Sequence, residues 1–224
     1  MPPPNIGLFG GSFNPIHYGH LQVAEHAHKR LQLDHVYFVP TGDPPHKPRH
    51  SLATAHHRLE MVKIALQGHP HFSVIDLETR SPNISYTYDT LNNLRREMFP
   101  IEQFYFIVGL DAFLEFPTWK QTETLLTLSN FVIISRPGTD FKALNHLRCL
   151  PDISPSALQQ LDNGQTTLVT IPLTPHTTLI LLACPPCSIS ASTIRERVEK
   201  GLPLHDWLPA SVESYILKNN VFPA

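Results

Sequence analysis

The sequence is poor in cysteine, lacks a long apolar run and carries no excess of charge of either sign. Three cysteines among 224 residues argue against a disulfide scaffold and fit a reducing compartment, the cytoplasm. Apolar runs such as residues 179–184 are far too short to span a bilayer, and residues 1–5 lack the basic region and apolar core of a signal peptide. A net charge of −2 provides no basic field for nucleic acid. We therefore expect a cytoplasmic protein with no membrane or nucleic-acid partner, which must hold any anionic ligand locally.

The remaining composition is that of a globular protein, with 42% apolar and 16% charged residues. We expect a single domain, residues 1–224, with a peripheral insertion at about 139–175 and a helical C-terminal part at about 188–224. The insertion is inferred from its four prolines, which leave one short helical pattern and one possible strand. The CPPC segment at 184–187 lacks a second cysteine pair for zinc and the context of a thioredoxin-like site, so we interpret it as structural.

The most informative stretch is GGSFNPIHYGH, residues 10–20, which lies between a buried strand at 6–9 and a helix predicted by its apolar spacing. Backbone N–H groups converge where a strand turns into a helix, and a helix N-terminus favours anions. Two glycines let a ligand approach the backbone closely. His17 and His20 project from one face, and each imidazole can donate a hydrogen bond to a phosphate oxygen. The stretch predicts a phosphate site; the alternatives are an ordinary α/β turn and a zinc site, for which no nearby carboxylate or cysteine completes the ligands.

This stretch resembles the signature of the nucleotidyltransferases with a His-x-Gly-His motif, and the whole chain is similar to bacterial nicotinate-mononucleotide adenylyltransferases. The resemblance covers residues 6–136 and again 187 to about 221. It implies an α/β fold, a Rossmann-like doubly wound parallel sheet of the nucleotidyltransferase type with a small C-terminal helical subdomain. Ser12 and Asn14 depart mildly from the family, which often has Thr and Asp there.

Weaker motifs follow in the family's order, and each also has an ordinary structural explanation. Ser85 or Thr87 is a plausible N-cap of a helix, as is Ser190 near the end of the chain. Asp111, after a buried strand and a glycine, suits either a helix N-cap or ribose hydroxyls. Trp119 is either part of a satellite core or a platform for a flat aromatic ring.

The resemblance assigns these motifs to three groups of site residues. The groups that stabilise charge in the reaction are expected to be His17, His20, Lys47 and Arg195. The ATP site is expected to comprise Gly10, Gly11, Ser12, Phe13, His17, His20, Gly109, Asp111, Ile189, Ser190, Ser192, Thr193 and Arg195. The site for nicotinate mononucleotide is expected to comprise Asn14, His46, Lys47, Ser85, Tyr86, Thr87, Asp111, Trp119, Lys120 and Arg136.

The reaction that the resemblance implies is adenylyl transfer, in which ATP and nicotinate mononucleotide give nicotinate adenine dinucleotide and pyrophosphate. The mononucleotide phosphate is itself the nucleophile, so catalysis consists of positioning and charge stabilisation. Mg²⁺ is the expected cofactor and is held mainly by the ATP phosphates, since no protein cage for it is visible. The alternatives are another small-molecule nucleotidyltransferase, acting on nicotinamide mononucleotide or phosphopantetheine, and a non-catalytic nucleotide-binding sensor. The sequence leaves open whether the protein is a monomer or a homo-oligomer.

Overall fold

A seven-stranded sheet forms the centre of the computed structural model, which describes residues 2–43, 52–100, 103–135 and 138–223. The order across the sheet is β3-β2-β1-β4-β5-β7-β6, and every neighbouring pair is parallel except β7 and β6. The strands are β1 (Asn5–Gly11), β2 (His35–Pro40), β3 (Phe72–Val74), β4 (Gln103–Gly109), β5 (Asn130–Ile134), β6 (Leu168–Pro172) and β7 (Thr178–Leu182). Strand order reverses between β1 and β4, and open α/β sheets bind ligands outside the carboxyl ends of the strands at such a point.

Helices cover both faces of the sheet, which is why the central strands are mostly apolar after their first residue and β5 is buried along its whole length. The helices are α1 (Tyr18–Leu31), α2 (Ala55–Ala65), α3 (Thr87–Glu97), α4 (Leu110–Phe113), α5 (Thr122–Leu128), α6 (Pro155–Asp162), α7 (Ala191–Glu199) and α8 (Ala210–Asn219). In the described part of the chain, short 3-10 helices also lie at Phe116–Thr118 and Phe141–His146. One core contains the apolar faces of α1, α2, α7 and α8, and the other contains those of α3 to α6. The predicted doubly wound parallel sheet is confirmed.

Two local predictions were wrong. The pattern of residues 72–78 in the sequence predicts a strand over that whole range, but β3 ends at Val74 and the chain then turns, with the carbonyl oxygen of Asp76 accepting from the backbone N–H of Arg80 at 3.1 Å. The N-cap of α3 is Tyr86 rather than Ser85 or Thr87, and no side chain caps this helix. In α4, Gly109 is the N-cap and Asp111 is the second helical residue, which leaves the Asp111 carboxylate for other partners.

Residues 139–175 contain a 3-10 helix, α6 and β6, and β6 closes one edge of the sheet. It pairs antiparallel with β7, with Leu168 opposite Leu182 and Pro172 opposite Thr178. The C-terminal helices pack on the same core as α1 and α2 through Ile194 and Ile216. Among the described residues, no helix combines the length and apolar character needed to cross a membrane.

Candidate active site

A cavity of about 410 Å³ opens at the carboxyl ends of β1 and β4. Its walls come from the turn after β1, the residues after β2, the start of α3, and the segment from α4 to α5. The lining residues are Gly10, Gly11, Ser12, Thr41, Glu78, Ser85, Tyr86, Thr87, Phe106, Val108, Asp111, Ala112, Glu115, Trp119, Lys120 and Leu125. Segments far apart in the sequence thus meet around one space that is large enough for a small ligand.

Glycine at position 10 is required by the close approach of β1 to its neighbour. A Cβ atom there would lie 2.9 Å from the ring of Phe106, another residue of the cavity wall. The chain then turns through Phe13, whose φ of 44° lies in the left-handed region, and through a cis peptide bond between Asn14 and Pro15. Asn14 is buried and braces the turn, since its Oδ1 accepts from the backbone N–H of Ala53 at 2.9 Å.

The two motif histidines lie against one another at the start of α1. His17 is the N-cap residue of this helix, and its ring centroid is 3.7 Å from that of His20. Both are buried, His17 being 3% and His20 8% exposed, and His20 packs edge-on against the ring of Phe13. The prediction that the two side chains share one face is therefore confirmed, and both are fixed by packing.

Beside His17 lies a second, small cavity of about 30 Å³, whose wall includes Gly19, Cys187 and Ile189. The segment of residues 189–195, which contains the last of the expected ATP-site residues, begins here. Ser190 is the N-cap of α7, as predicted, and its Oγ accepts from the backbone N–H of Thr193 at 3.1 Å. The start of α7 thus comes close to the start of α1.

Arg195 links the two ends of the sequence at this point. Its Nη1 donates to the carbonyl oxygen of Asn14 at 2.8 Å, across 181 positions of the chain, and its Nη2 donates to Ser192 Oγ at 3.4 Å. The guanidinium is half-buried. A cation is therefore held directly beside the turn that leads from β1 into α1.

Part of the lining of the large cavity is aromatic. Trp119 packs edge-to-face on Phe106 at 6.3 Å and against Phe116 at 5.3 Å, so its ring is fixed by the core while it lines the cavity. Lys120 Nζ pairs with both carboxylate oxygens of Asp89, at 2.9 and 2.8 Å, and lies 5.0 Å from the centroid of the Tyr86 ring. The core and platform interpretations of Trp119 are compatible in this geometry.

Two buried ionisable side chains lie at this cavity: Glu78 is part of its lining, and Arg58 lies behind the lining residues. The guanidinium of Arg58 is 1% exposed and donates to the carbonyl oxygens of Ser12, Gly42 and Ala53 at 2.9, 2.7 and 3.0 Å. Burial lowers the pKa of Arg58 to about 10, which leaves it protonated at neutral pH. Burial raises the pKa of Glu78, while hydrogen bonds from Thr90 and Gly42 and the charge of Arg58 act against this increase.

The structure brings half of the predicted site residues, 11 of 22, to the walls of these two cavities. Nine line the large cavity, and His17 and Ile189 line the small one. His46, Lys47 and Arg136 lie outside the described residues. Seven lining residues were not anticipated: Thr41, Glu78, Phe106, Val108, Ala112, Glu115 and Leu125. Thr41 and Glu78 each follow a strand on the ligand edge, and this position was the available signal.

The side chains at the site that could act as metal ligands are too few to hold a metal ion without a bound substrate. Within the described ranges, no three His, Cys, Asp or Glu residues are grouped so that they could hold one. The Asp111 side chain is exposed and lines the large cavity. A divalent ion at this site would therefore need ligands from a bound substrate.

Known proteins resemble this chain over nearly its whole length. The model of the cytidylyltransferase-like family matches residues 8–197. A relative from Desulfitobacterium hafniense (strain Y51), named probable nicotinate-nucleotide adenylyltransferase, is 40% identical over 221 residues, which are 99% of this chain and 97% of the relative. The nicotinic acid mononucleotide adenylyltransferase of Plasmodium falciparum, solved in complex with NaAD and with APC, is similar in structure. It has TM-scores of 0.71 and 0.69 and 25% identity, and the match covers 98% of this chain and 97% of that one.

Proposed function

This chain belongs to the cytidylyltransferase-like family and, within it, to the nicotinate-nucleotide adenylyltransferases, and we propose that it transfers the adenylyl group of ATP to nicotinate mononucleotide. The products are nicotinate adenine dinucleotide (NaAD) and pyrophosphate. The chain is a nucleotidyltransferase, an enzyme of NAD biosynthesis. Its structural neighbour from Plasmodium falciparum binds NaAD in one complex, and NaAD is the product of the reaction proposed here.

The large cavity is the observation that supports this assignment best. Its Gly10–Ser12 wall leads into the turn before His17, and Arg195 of α7 binds the carbonyl oxygen of Asn14 in this turn, which suits phosphates. Its far wall combines Trp119 with the start of α3, which suits a flat aromatic ring. A mononucleotide has both parts, a phosphate and a planar base, at opposite ends of a ribose.

The chemistry needs no nucleophile from the protein. A phosphate oxygen of nicotinate mononucleotide forms a bond to the α-phosphorus of ATP, and the bond from that phosphorus to the β-phosphate bridging oxygen breaks, so that pyrophosphate leaves with the electron pair. We assign His17, His20 and Arg195 to the oxygens on which charge develops, and we assign the same task to Lys47, which follows β2 in the sequence and lies outside the described residues. Trp119 and residues 85–87 hold the pyridine, and Asp111 binds ribose hydroxyls.

We further propose Mg²⁺ as the cofactor, bound chiefly by the substrate phosphates and supplying neutralisation of their charge. Asp111 and Glu115 are the exposed carboxylates among the described lining residues, and we propose that Asp111 binds such an ion through water. A cytoplasmic location is proposed from the low cysteine content.

A substrate panel tests the proposed function. Purified protein is incubated with ATP, Mg²⁺ and nicotinate mononucleotide, nicotinamide mononucleotide or phosphopantetheine, and pyrophosphate release is measured. We expect the highest kcat/KM for the nicotinate form, because the backbone N–H donors of Tyr86 and Thr87, at the start of α3, can satisfy both oxygens of a carboxylate, whereas an amide presents an NH₂ group to a donor.

The panel also separates the alternatives. Equal or faster turnover of nicotinamide mononucleotide would contradict the carboxylate assignment and leave adenylyl transfer intact. Turnover of phosphopantetheine alone would replace the proposed substrate. Binding of ATP without pyrophosphate release from any acceptor would indicate a nucleotide-binding sensor.

A further inference from the structure

Glu78 combines two properties that are seldom found together: it is a carboxylate buried to 9% exposure, and it lines the large cavity. Within the described ranges, Glu78 is the one Asp or Glu that counts as buried. Burying a carboxylate is costly unless hydrogen bonds compensate it. The partners of Glu78 therefore indicate what the buried charge is for.

Those partners belong to two different walls of the cavity. Glu78 Oε1 accepts from the hydroxyl of Thr90, in α3, at 2.7 Å. Glu78 Oε2 accepts a longer bond, 3.4 Å, from the backbone N–H of Gly42, in the segment after β2. One carboxylate thus connects the start of α3 to the Thr41–Asp43 segment.

The same two walls also meet through their backbones. The N–H of Ser85 donates to the carbonyl oxygen of Asp43 at 3.1 Å, and Asp43 forms a parallel bridge with Ile84. The peptide groups of Gly42 are held on both sides, its N–H by Glu78 and its carbonyl oxygen by Arg58 at 2.7 Å. Arg58 in turn holds Ser12 of the phosphate side.

We propose that Glu78 is a positioning residue that sets the relative placement of the Thr41–Asp43 segment and the Ser85–Thr87 segment, and thereby the pyridine end of the substrate site. This inference rests on the proposed function, because it takes nicotinate mononucleotide as the ligand of these walls. Glu78 acts through the Gly42 N–H and the Thr90 hydroxyl, so its loss affects the mononucleotide and leaves ATP binding at the other end of the cavity unchanged.

Three variants test the proposal. Glu78→Ala removes both connections and is expected to raise KM for nicotinate mononucleotide roughly 10- to 100-fold. Glu78→Gln should stay within about threefold of wild type, because its oxygen accepts from Gly42 while its NH₂ donates to a Thr90 hydroxyl turned towards the carbonyl oxygen of Tyr86, 3.2 Å away. Thr90→Val removes one of the two connections, so its KM for nicotinate mononucleotide should lie between those of Glu78→Ala and Glu78→Gln. In all three, KM for ATP is expected to change less than about threefold.

Thr177→Val is the matched control. Thr177 is also a buried threonine whose hydroxyl donates to a carbonyl oxygen, that of Leu126, away from the cavity. It should lower the melting temperature and leave both KM values unchanged. This control distinguishes a loss of substrate positioning from a general loss of stability.

The wild-type protein is assayed first, because absent pyrophosphate release with nicotinate mononucleotide would refute the proposed function itself. With an active wild type, an unchanged KM in Glu78→Ala, an equal rise in both KM values, or no recovery in Glu78→Gln would each overturn the positioning role. If Glu78→Ala does not fold, the contrast between Thr90→Val and Glu78→Gln decides: equal KM values for the mononucleotide overturn the role, and a higher value in Thr90→Val supports it.

Discussion

Gly42→Ala is the perturbation whose steric consequence can be followed furthest. A Cβ atom at this position would overlap the carbonyl oxygen of Glu78 and lie 2.8 Å from Ser85 Oγ. The hydroxyl of Ser85 can rotate away, but the Glu78 oxygen is backbone and already accepts from the N–H of Ser81 at 3.1 Å. The Thr41–Asp43 segment must therefore move away from the backbone of Glu78, against which it packs.

The size of this movement sets the expected effect. Restoring ordinary van der Waals contact requires a separation on the order of 1 Å, and a displacement of that size in a positioning element can cost about 100-fold in rate. We expect kcat/KM for nicotinate mononucleotide to fall by about that factor, with KM for ATP nearly unchanged. Steady-state kinetics with each substrate varied in turn, together with thermal melts, provide the measurement.

Gly68→Ala is the control, because Gly68 has a φ of 86° and no atom within 4 Å of the added Cβ. It introduces backbone strain without a steric overlap, so it should lower stability by about 1 kcal/mol and leave the kinetics unchanged. If Gly42→Ala retains kcat/KM for the mononucleotide within about threefold of wild type, the account of the two joined walls is wrong.

Three further predictions concern the histidines, the tryptophan and the buried carboxylate. His17→Ala and His20→Ala should each lower kcat roughly 100- to 1,000-fold; retention of more than about a tenth of wild-type kcat in both variants would exclude the phosphate role. Trp119→Ala should weaken the binding of nicotinate mononucleotide by about 1–3 kcal/mol and leave the binding of ATP unchanged, and Trp119→Phe should recover part of the lost binding free energy. An equal rise in both KM values would mean that Trp119 is a core residue only. Because burial raises the pKa of Glu78 in the folded state, the ionised carboxylate destabilises the fold, and wild-type stability relative to Glu78→Gln should fall as the pH rises from below to above the ordinary pKa of a glutamate. Thermal melts across that range check this, and a difference independent of pH would contradict it.

The fold could be predicted from the sequence where local signals and burial agree. The strands around residues 6–9 and 103–108 are short apolar runs that end in glycine, and Ser190 begins a helix with a side-chain cap, so local chemistry was sufficient there. Local chemistry was insufficient at residues 75–78. The alternation of apolar and polar residues continues there, but the strand has already ended and the chain enters the turn held by the Asp76 carbonyl oxygen. A strand needs a neighbour as well as a pattern, and the neighbour is not visible in a single segment.

The candidate site divides in the same way. Gly10, His17 and Trp119 carry signals in their own residue types and neighbours, and the family resemblance organised them into one reaction. Glu78 and Arg58 gain their roles only from groups that are remote in sequence: Glu78 from Thr90 and Gly42, and Arg58 from backbone carbonyls such as that of Ser12. Their importance depends on tertiary contacts, which no local pattern encodes.

The central claim is that the phosphate of nicotinate mononucleotide is the nucleophile in adenylyl transfer, so that its oxygens are kept in NaAD and the pyrophosphate comes entirely from ATP. Nicotinate mononucleotide labelled with heavy oxygen on its phosphate is incubated with the protein, unlabelled ATP and Mg²⁺, and both products are analysed by mass spectrometry. The account predicts that NaAD carries all of the label and that pyrophosphate carries none. Labelled pyrophosphate, or no NaAD, would contradict it.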